Sequence, residues 1–230
     1  MVALALAMSG CKPRTRIDLH YLPGFVPGSQ NVFRPAKIAV PPTTRDFGAG
    51  DSEVGAIYAA DGTVQTPLAV ADAADAFNAA LLRGLADAGL VPVALDSSPD
   101  DGKPPEGADF ILGSRLEQLE VNKRFGANWT IHGQYFTMRA VVRAKFELKN
   151  RDGAVLYSGE VSGIENEPPN PVGAEVFLPL ETEPAESLSV ALSRAIGLLI
   201  IQPGFRDALP VRAAEATSSS TPPTPQPSHH

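Results

Sequence analysis

One cysteine stands in the 230 residues, at position 11, so no disulfide can form within the chain. Histidine is almost as scarce. His20, His132, His229 and His230 have no cysteine or carboxylate at ligand spacing, so no metal site and no metal cofactor is expected. Positive charge is also short. The formal net charge is −7 and no run of five or more Lys or Arg occurs, which argues against a nucleic-acid partner. No apolar run reads as long enough to cross a bilayer. There is no G-x-S-x-G elbow, and Gly48-Ala49-Gly50 lacks the Lys and Ser/Thr of a phosphate loop. The acid pairs Asp100-Asp101 and Glu165/Glu167 fall in proline-rich stretches, where solvated charge is the default over general acid–base work. The expectation is a protein that is not an enzyme and carries no cofactor.

What is present is the composition of a folded protein, 43% hydrophobic and 20% charged. One stretch organises it. Phe136, Met138, Ala140, Val142, Ala144, Phe146 and Leu148 alternate with Thr137, Arg139, Val141, Arg143, Lys145, Glu147 and Lys149. Side chains alternate across a strand, so this is a long β-strand with one buried and one wet face. Asp152-Gly153 then turns the chain into a second strand over 154–162. Before it, 109–121 reads as a strand whose apolar phase slips by one residue, which predicts a β-bulge near Gln118.

Two helices flank these strands. Thr66-Pro67 reads as an N-cap followed by proline at the first helical position, opening a helix with Val70, Phe77, Leu81 and Leu85 on one face. Gly84 near that face predicts close approach of helix and sheet, and Gly89 suits the C′ position. The second helix begins at Thr182 or Glu183, carries Leu188, Leu192, Ile196 and Leu199, and stops at Pro203-Gly204. Short strands are expected over 36–40 and 90–95, the latter at an edge because of Pro92. Residues 42–65, 97–107 and 164–183 read as loops, the last holding the apolar island Val176-Phe177-Leu178. The fold class is α+β: a mainly antiparallel sheet with two amphipathic helices packed on one face.

The ends differ from the middle. Residues 1–10 are apolar or small and end in Ser9-Gly10, directly before Cys11. An apolar run closed by small residues is similar to the end of an export signal, and with Cys11 after it the site resembles a lipobox. Small residues let a peptidase reach the backbone, and the thiol carries the lipid. The plainer alternative is an ordinary N-terminus with an incidental cysteine. The expected organisation is a signal peptide over 1–10, a tether over 11–35, one α/β domain over 36–208 and a disordered Ser/Thr/Pro-rich tail over 209–230.

For contact with a partner, Phe125, Trp129 and Tyr135 fall around an expected hairpin loop over 122–133, with Lys123 and Arg124 beside them. Aromatic and Arg side chains on an exposed loop are what interfaces favour. The competing reading has Trp129 capping the core.

The order of elements carries a resemblance. Cys11 precedes the strand Lys37-Ile38-Ala39-Val40, then come Val54-Gly55, a helix ending Leu85-Ala86-Asp87-Ala88-Gly89-Leu90-Val91-Pro92-Val93, Ala108-Asp109-Phe110-Ile111-Leu112, and the hairpin with Asp152-Gly153-Ala154-Val155-Leu156-Tyr157. Across roughly 11–202 this resembles the YajG-type bacterial envelope lipoproteins and, more loosely, the auxiliary lipoproteins of ABC-type transport. The resemblance implies a lipid anchor at Cys11 and a non-enzymatic accessory or docking role beside an envelope protein partner. Lys12 in place of Asp implies the inner leaflet of the outer membrane, facing the periplasm. A second class of function stays open: a periplasmic domain that binds, or hydrolyses, a small molecule or carbohydrate, using Asp46, Asp51, Glu53, Asp100 and Asp101 on its loops.

Overall fold

The computed structural model describes residues 14–46, 53–128, 133–171 and 182–211, excepting the side chains of 127, 128, 133–135, 167–171 and 182. In chain order the elements are β1 (Thr15–Arg16), β2 (Lys37–Val40), β3 (Thr44–Arg45), β4 (Glu53–Tyr58), β5 (Val64–Ala69), α1 (Ala73–Asp87), β6 (Val91–Ala94), β7 (Phe110–Asn128), β8 (Gly133–Asn150), β9 (Val155–Pro171), α2 (Thr182–Ile201) and α3 (Pro203–Asp207). The fold is α+β. Three long antiparallel strands, β7–β8–β9, form its spine.

β7 is the hinge of the topology. One of its edges is taken entirely by β8, while the other is shared in succession by β2, β3 and β4, all parallel to it. β6 extends the sheet beyond β2, and β5 then β1 extend it beyond β4. The parallel pairings are short, so antiparallel ladders dominate. The register slips between Leu116 and Gln118, where the apolar phase of the sequence changes.

The alternation along β8 sets the layers. Met138, Ala140, Val142, Ala144, Phe146 and Leu148 are buried in one cluster with Phe77 and Leu81 of α1 and Leu192 and Ile196 of α2. Both helices therefore lie on the same face of the sheet, and the rings of Phe77 and Phe146 stand 6.2 Å apart. At the turn after β8, Asn150 Oδ1 accepts from the Asp152 and Ala154 amides, and Gly153 takes the positive φ of 83° that this turn demands.

Several expectations need correction. Thr66-Pro67 does not open α1. Both lie in β5, where Pro67 faces Ala56 of β4. β1 reaches only Leu68 and Ala69, so the missing N–H of Pro67 interrupts no ladder. The helix starts six residues later than expected, capped by Asp72, whose carboxylate accepts from the Asp75 amide at 3.1 Å. The expected loop over 42–65 holds β3, β4 and the start of β5, and the expected loop from 164 is strand as far as Pro171. Gly84 serves helix–helix rather than helix–sheet contact: a Cβ there would stand 2.3 Å from Ile196 Cγ2 of α2.

The tether is also corrected, at least from residue 14. β1 pairs with β5, Ile17 is buried, and Phe33 is fully buried against the ring of Phe205, 5.9 Å away. The reason lies in α2. Its inner face meets the sheet, and its outer face carries Ala185, Ser189, Ser193 and Gly197, small residues one turn apart. The lead lies along that stripe. His20 and Leu22 donate their amides to the hydroxyls of Ser189 and Ser193, at 3.0 and 2.8 Å, and those hydroxyls donate to the carbonyls one turn back. Val26 fills the space above Gly197. At the other end, Leu209 is buried and Val211 bridges to Phe33, so the packed body runs on past 208. A further correction concerns Glu183–Ile201. This helix is long and apolar enough to span a membrane, yet about two thirds of it is buried inside the body. A helix apolar nearly all round is a buried one, and here the lead covers the side the sheet does not.

The lead brings one titrating group with it. Burial, then the charge of Asp87, then a hydrogen bond to Asp87 push the Tyr21 hydroxyl up to about 12 from its ordinary 10.0. A raised pKa means the neutral form is the stabilised one. Its contribution is whole below pH 10 and is lost as pH climbs through 10 toward 12. Melting temperatures measured across that interval are expected to fall more steeply for the parent than for Tyr21→Phe.

Candidate functional site

On the face of the sheet away from the helices, polar side chains alternate outward. The registers place Asn122 opposite Arg139, with Asn166 beyond it, and place Glu120 opposite Val141. Gln118, Arg124 and Thr137 complete the rim of a groove of about 440 Å³, with buried Val141 in its floor. That volume falls in the range of small-molecule sites.

The charges in this groove are arranged unequally. Glu120 is satisfied by amides: it accepts from Gln118 Nε2 at 2.8 Å and from Asn122 Nδ2. Asn122 is itself oriented by the Ala56 amide, which donates to its Oδ1 at 3.3 Å. Arg124 lies over the ring of Tyr58 at 4.8 Å, a cation–π contact that restrains its side chain. Further along the same face the cations are matched: Arg143 with Glu160, Lys145 with Glu117, Lys149 with Glu147 and Arg115 with Asp46. Among the described residues, neither Arg124 nor Arg139 forms an ion pair with a carboxylate.

The residues expected to contact a partner fare differently from one another. Cys11 and Trp129 lie outside the described residues, as do 172–181 with the apolar island, and Tyr135 is described only in its backbone. Phe125 does not project from a loop. The strands run on to Asn128 and from Gly133, and Phe125 pairs across them with Phe136, ring centroids 6.4 Å apart at the margin of the core. Lys123 is corrected more sharply. It points to the helix side and is 3% exposed, paired with Glu183 at the start of α2, its ammonium 4.2 Å from the Phe136 ring. Arg124, one residue on, points the opposite way, as strand alternation requires.

The acids on the loops do not converge. Asp46 pairs with Arg115 at 2.6 Å, Glu53 with Arg14 at 3.7 Å, and Asp101 accepts the Lys103 amide in its own turn. Asp51 lies outside the described residues. No cluster of three metal-ligating side chains occurs among the described residues. Sequence reasoning missed the groove. Its signal was the run Gln118, Glu120, Asn122, Arg124, polar at every second position, which becomes a site only once β8 and β9 are set beside it.

No family model matches the chain, and no curated protein does. Among solved structures, it is similar to protein XCC0632 from Xanthomonas campestris, of family DUF330, at 15% identity and a TM-score of 0.43, covering 82% of this chain and 95% of that one. A putative neuraminyllactose-binding hemagglutinin homolog from Helicobacter pylori aligns at 8% identity and 0.43, over 84% and 95%. Lipoprotein GNA1162 from Neisseria meningitidis aligns at 16% identity and 0.31, over 58% and 85%.

Proposed function

We propose that this chain is a non-enzymatic envelope lipoprotein, anchored by lipid at Cys11, that serves as an accessory or docking subunit of a membrane transport or assembly system. The carrying observation is the apolar run ending Ser9-Gly10 before Cys11, six residues ahead of the buried Ile17 of the folded body. A diacyl or triacyl modification supplies the two or more chains that stable attachment requires. The resemblance to YajG-type lipoproteins supports the same reading, with the inner leaflet of the outer membrane as its place. Mass spectrometry of the mature N-terminus tests it. The expected product starts at a lipidated Cys11 and leaves the membrane fraction in Cys11→Ala. A soluble chain still carrying residues 1–10 would refute it. For the docking role, Trp129→Ala is the cleaner probe than Phe125→Ala, because Phe125 packs on the core. Loss of a co-purifying envelope partner with an unchanged melting temperature is the expected result.

A second reading, a small-molecule or carbohydrate-binding periplasmic domain, is favoured by one observation, the groove of about 440 Å³. It moves the expected ligand contacts away from the loop acids and onto the open face of β7, β8 and β9.

A further inference from the structure

We propose that the groove on the open face binds a phosphate ester, the phosphate held by Arg124 and Arg139. This goes beyond the anchored docking role and does not depend on it, since every residue involved lies on the folded body.

The argument starts from register. Arg124 faces Thr137 and Asn122 faces Arg139, so the two arginines are diagonal neighbours on adjacent strands. Diagonal neighbours stand roughly 7–8 Å apart at their bases, close enough for two long side chains to converge on one anion. Like charges at that distance repel unless something between them is negative. The carboxylate nearest in register, Glu120, is already occupied by the amides of Gln118 and Asn122. Every other cation named on this face stands beside a carboxylate, at 2.5–3.3 Å. Among the described residues, the two that do not are the two that line the groove.

The chemistry of the donors selects the anion. A guanidinium presents planar, forked N–H donors that match the oxygens of phosphate two at a time. Arg124 is pre-oriented by the Tyr58 ring, so less freedom is lost when it binds. Thr137 and Asn166 add neutral hydrogen-bonding groups on the rim. The groove is larger than a bare phosphate needs and has an apolar floor at Val141, which fits an ester whose organic body lies along β8.

Isothermal titration of the full chain with sn-glycerol 3-phosphate, inorganic phosphate and glycerol reads this directly. The ester is expected to bind more tightly than inorganic phosphate, and glycerol not at all. Arg139→Gln and Arg124→Gln are each expected to weaken the ester by about ten-fold or more, the loss typical of a hydrogen bond to a charged group. Arg143→Gln, on the same face but paired with Glu160, is expected to bind as the parent does. Melting temperatures of the variants guard against unfolding. Absence of ester binding by the parent, or a folded Arg124→Gln/Arg139→Gln double variant that binds as tightly as the parent, overturns the proposal. Inorganic phosphate binding as tightly as the ester overturns the assignment to an ester and leaves the site to the free ion.

Discussion

Gly163→Ala is expected to destabilise the protein by at least about 3 kcal/mol, the upper end of what overpacking usually costs. Gly163 lies in β9 where α2 crosses the sheet. A Cβ built there would stand 1.9 Å from the carbonyl oxygen of Ala191 and 2.6 Å from the amide nitrogen of Ala195. Side chains can rotate away from an intruding methyl group, but both of these atoms belong to helix backbone. α2 can make room only by lifting from the strands, and Leu188, Leu192 and Ile196 would lift with it. Total stabilities of 5–15 kcal/mol leave little margin for such a loss. Gly113→Ala is the internal control. It changes the same residue type in β7, yet its nearest neighbour would be an ordinary 3.8 Å away. Denaturant midpoints for the two variants should separate widely. Equal midpoints would mean that α2 is not seated on Gly163.

The second large effect is an asymmetry across one ion pair. The Lys123 side chain is 4% exposed and its partner Glu183 is 21% exposed. Replacing Glu183 with Gln removes the counter-charge and leaves an ammonium almost fully buried, a change worth about 3–5 kcal/mol. Replacing Lys123 with Met leaves a carboxylate that can turn to water and puts an apolar chain between the rings of Phe125 and Phe136, where the ammonium now lies. The large cost of breaking a buried pair comes from the charge left stranded, and here the carboxylate left behind reaches solvent. Glu183→Gln should therefore melt far below the parent and Lys123→Met close to it. Comparable losses for both would show the pair to be held in water rather than in the core.

Period-two alternation made β8 legible residue by residue, and the slipped phase at Gln118 located the bulge in β7. Both are local patterns. β4 was hidden for a local reason as well: Gly55, at φ 142°, sits in a bulge that breaks the alternation of Val54, Ala56 and Ile57. The helix start was misread because Thr-Pro suits a strand edge as well as a helix cap, and only the short reach of β1 decides between them. Neither the packed lead nor the groove could be read locally. The lead was foreshadowed by a mismatch, since α2 has more apolar and small positions than a helix with one covered face requires. The groove depends on pairing partners up to 44 residues apart, Asn122 with Asn166 across Arg139, so the polar alternation of β7 alone does not define it.

The lead lying along α2 has a mechanical consequence for a chain held at Cys11. An extended backbone reaches at most about 3.3–3.6 Å per residue, so the span from Cys11 to Thr15, where β1 begins, allows a leash of at most roughly 14 Å. Were the chain anchored there, such a body would stand on its bilayer rather than float above it, able to tilt but not to travel. A partner would then have to come down to the membrane surface to meet it. Inserting a flexible segment ahead of Arg14 should leave the melting temperature unchanged while lengthening the distance from body to bilayer, as energy transfer to a labelled lipid would measure. The height at which this protein works would then be set not by a linker, but by how tightly Ser189 and Ser193 hold the lead that crosses them.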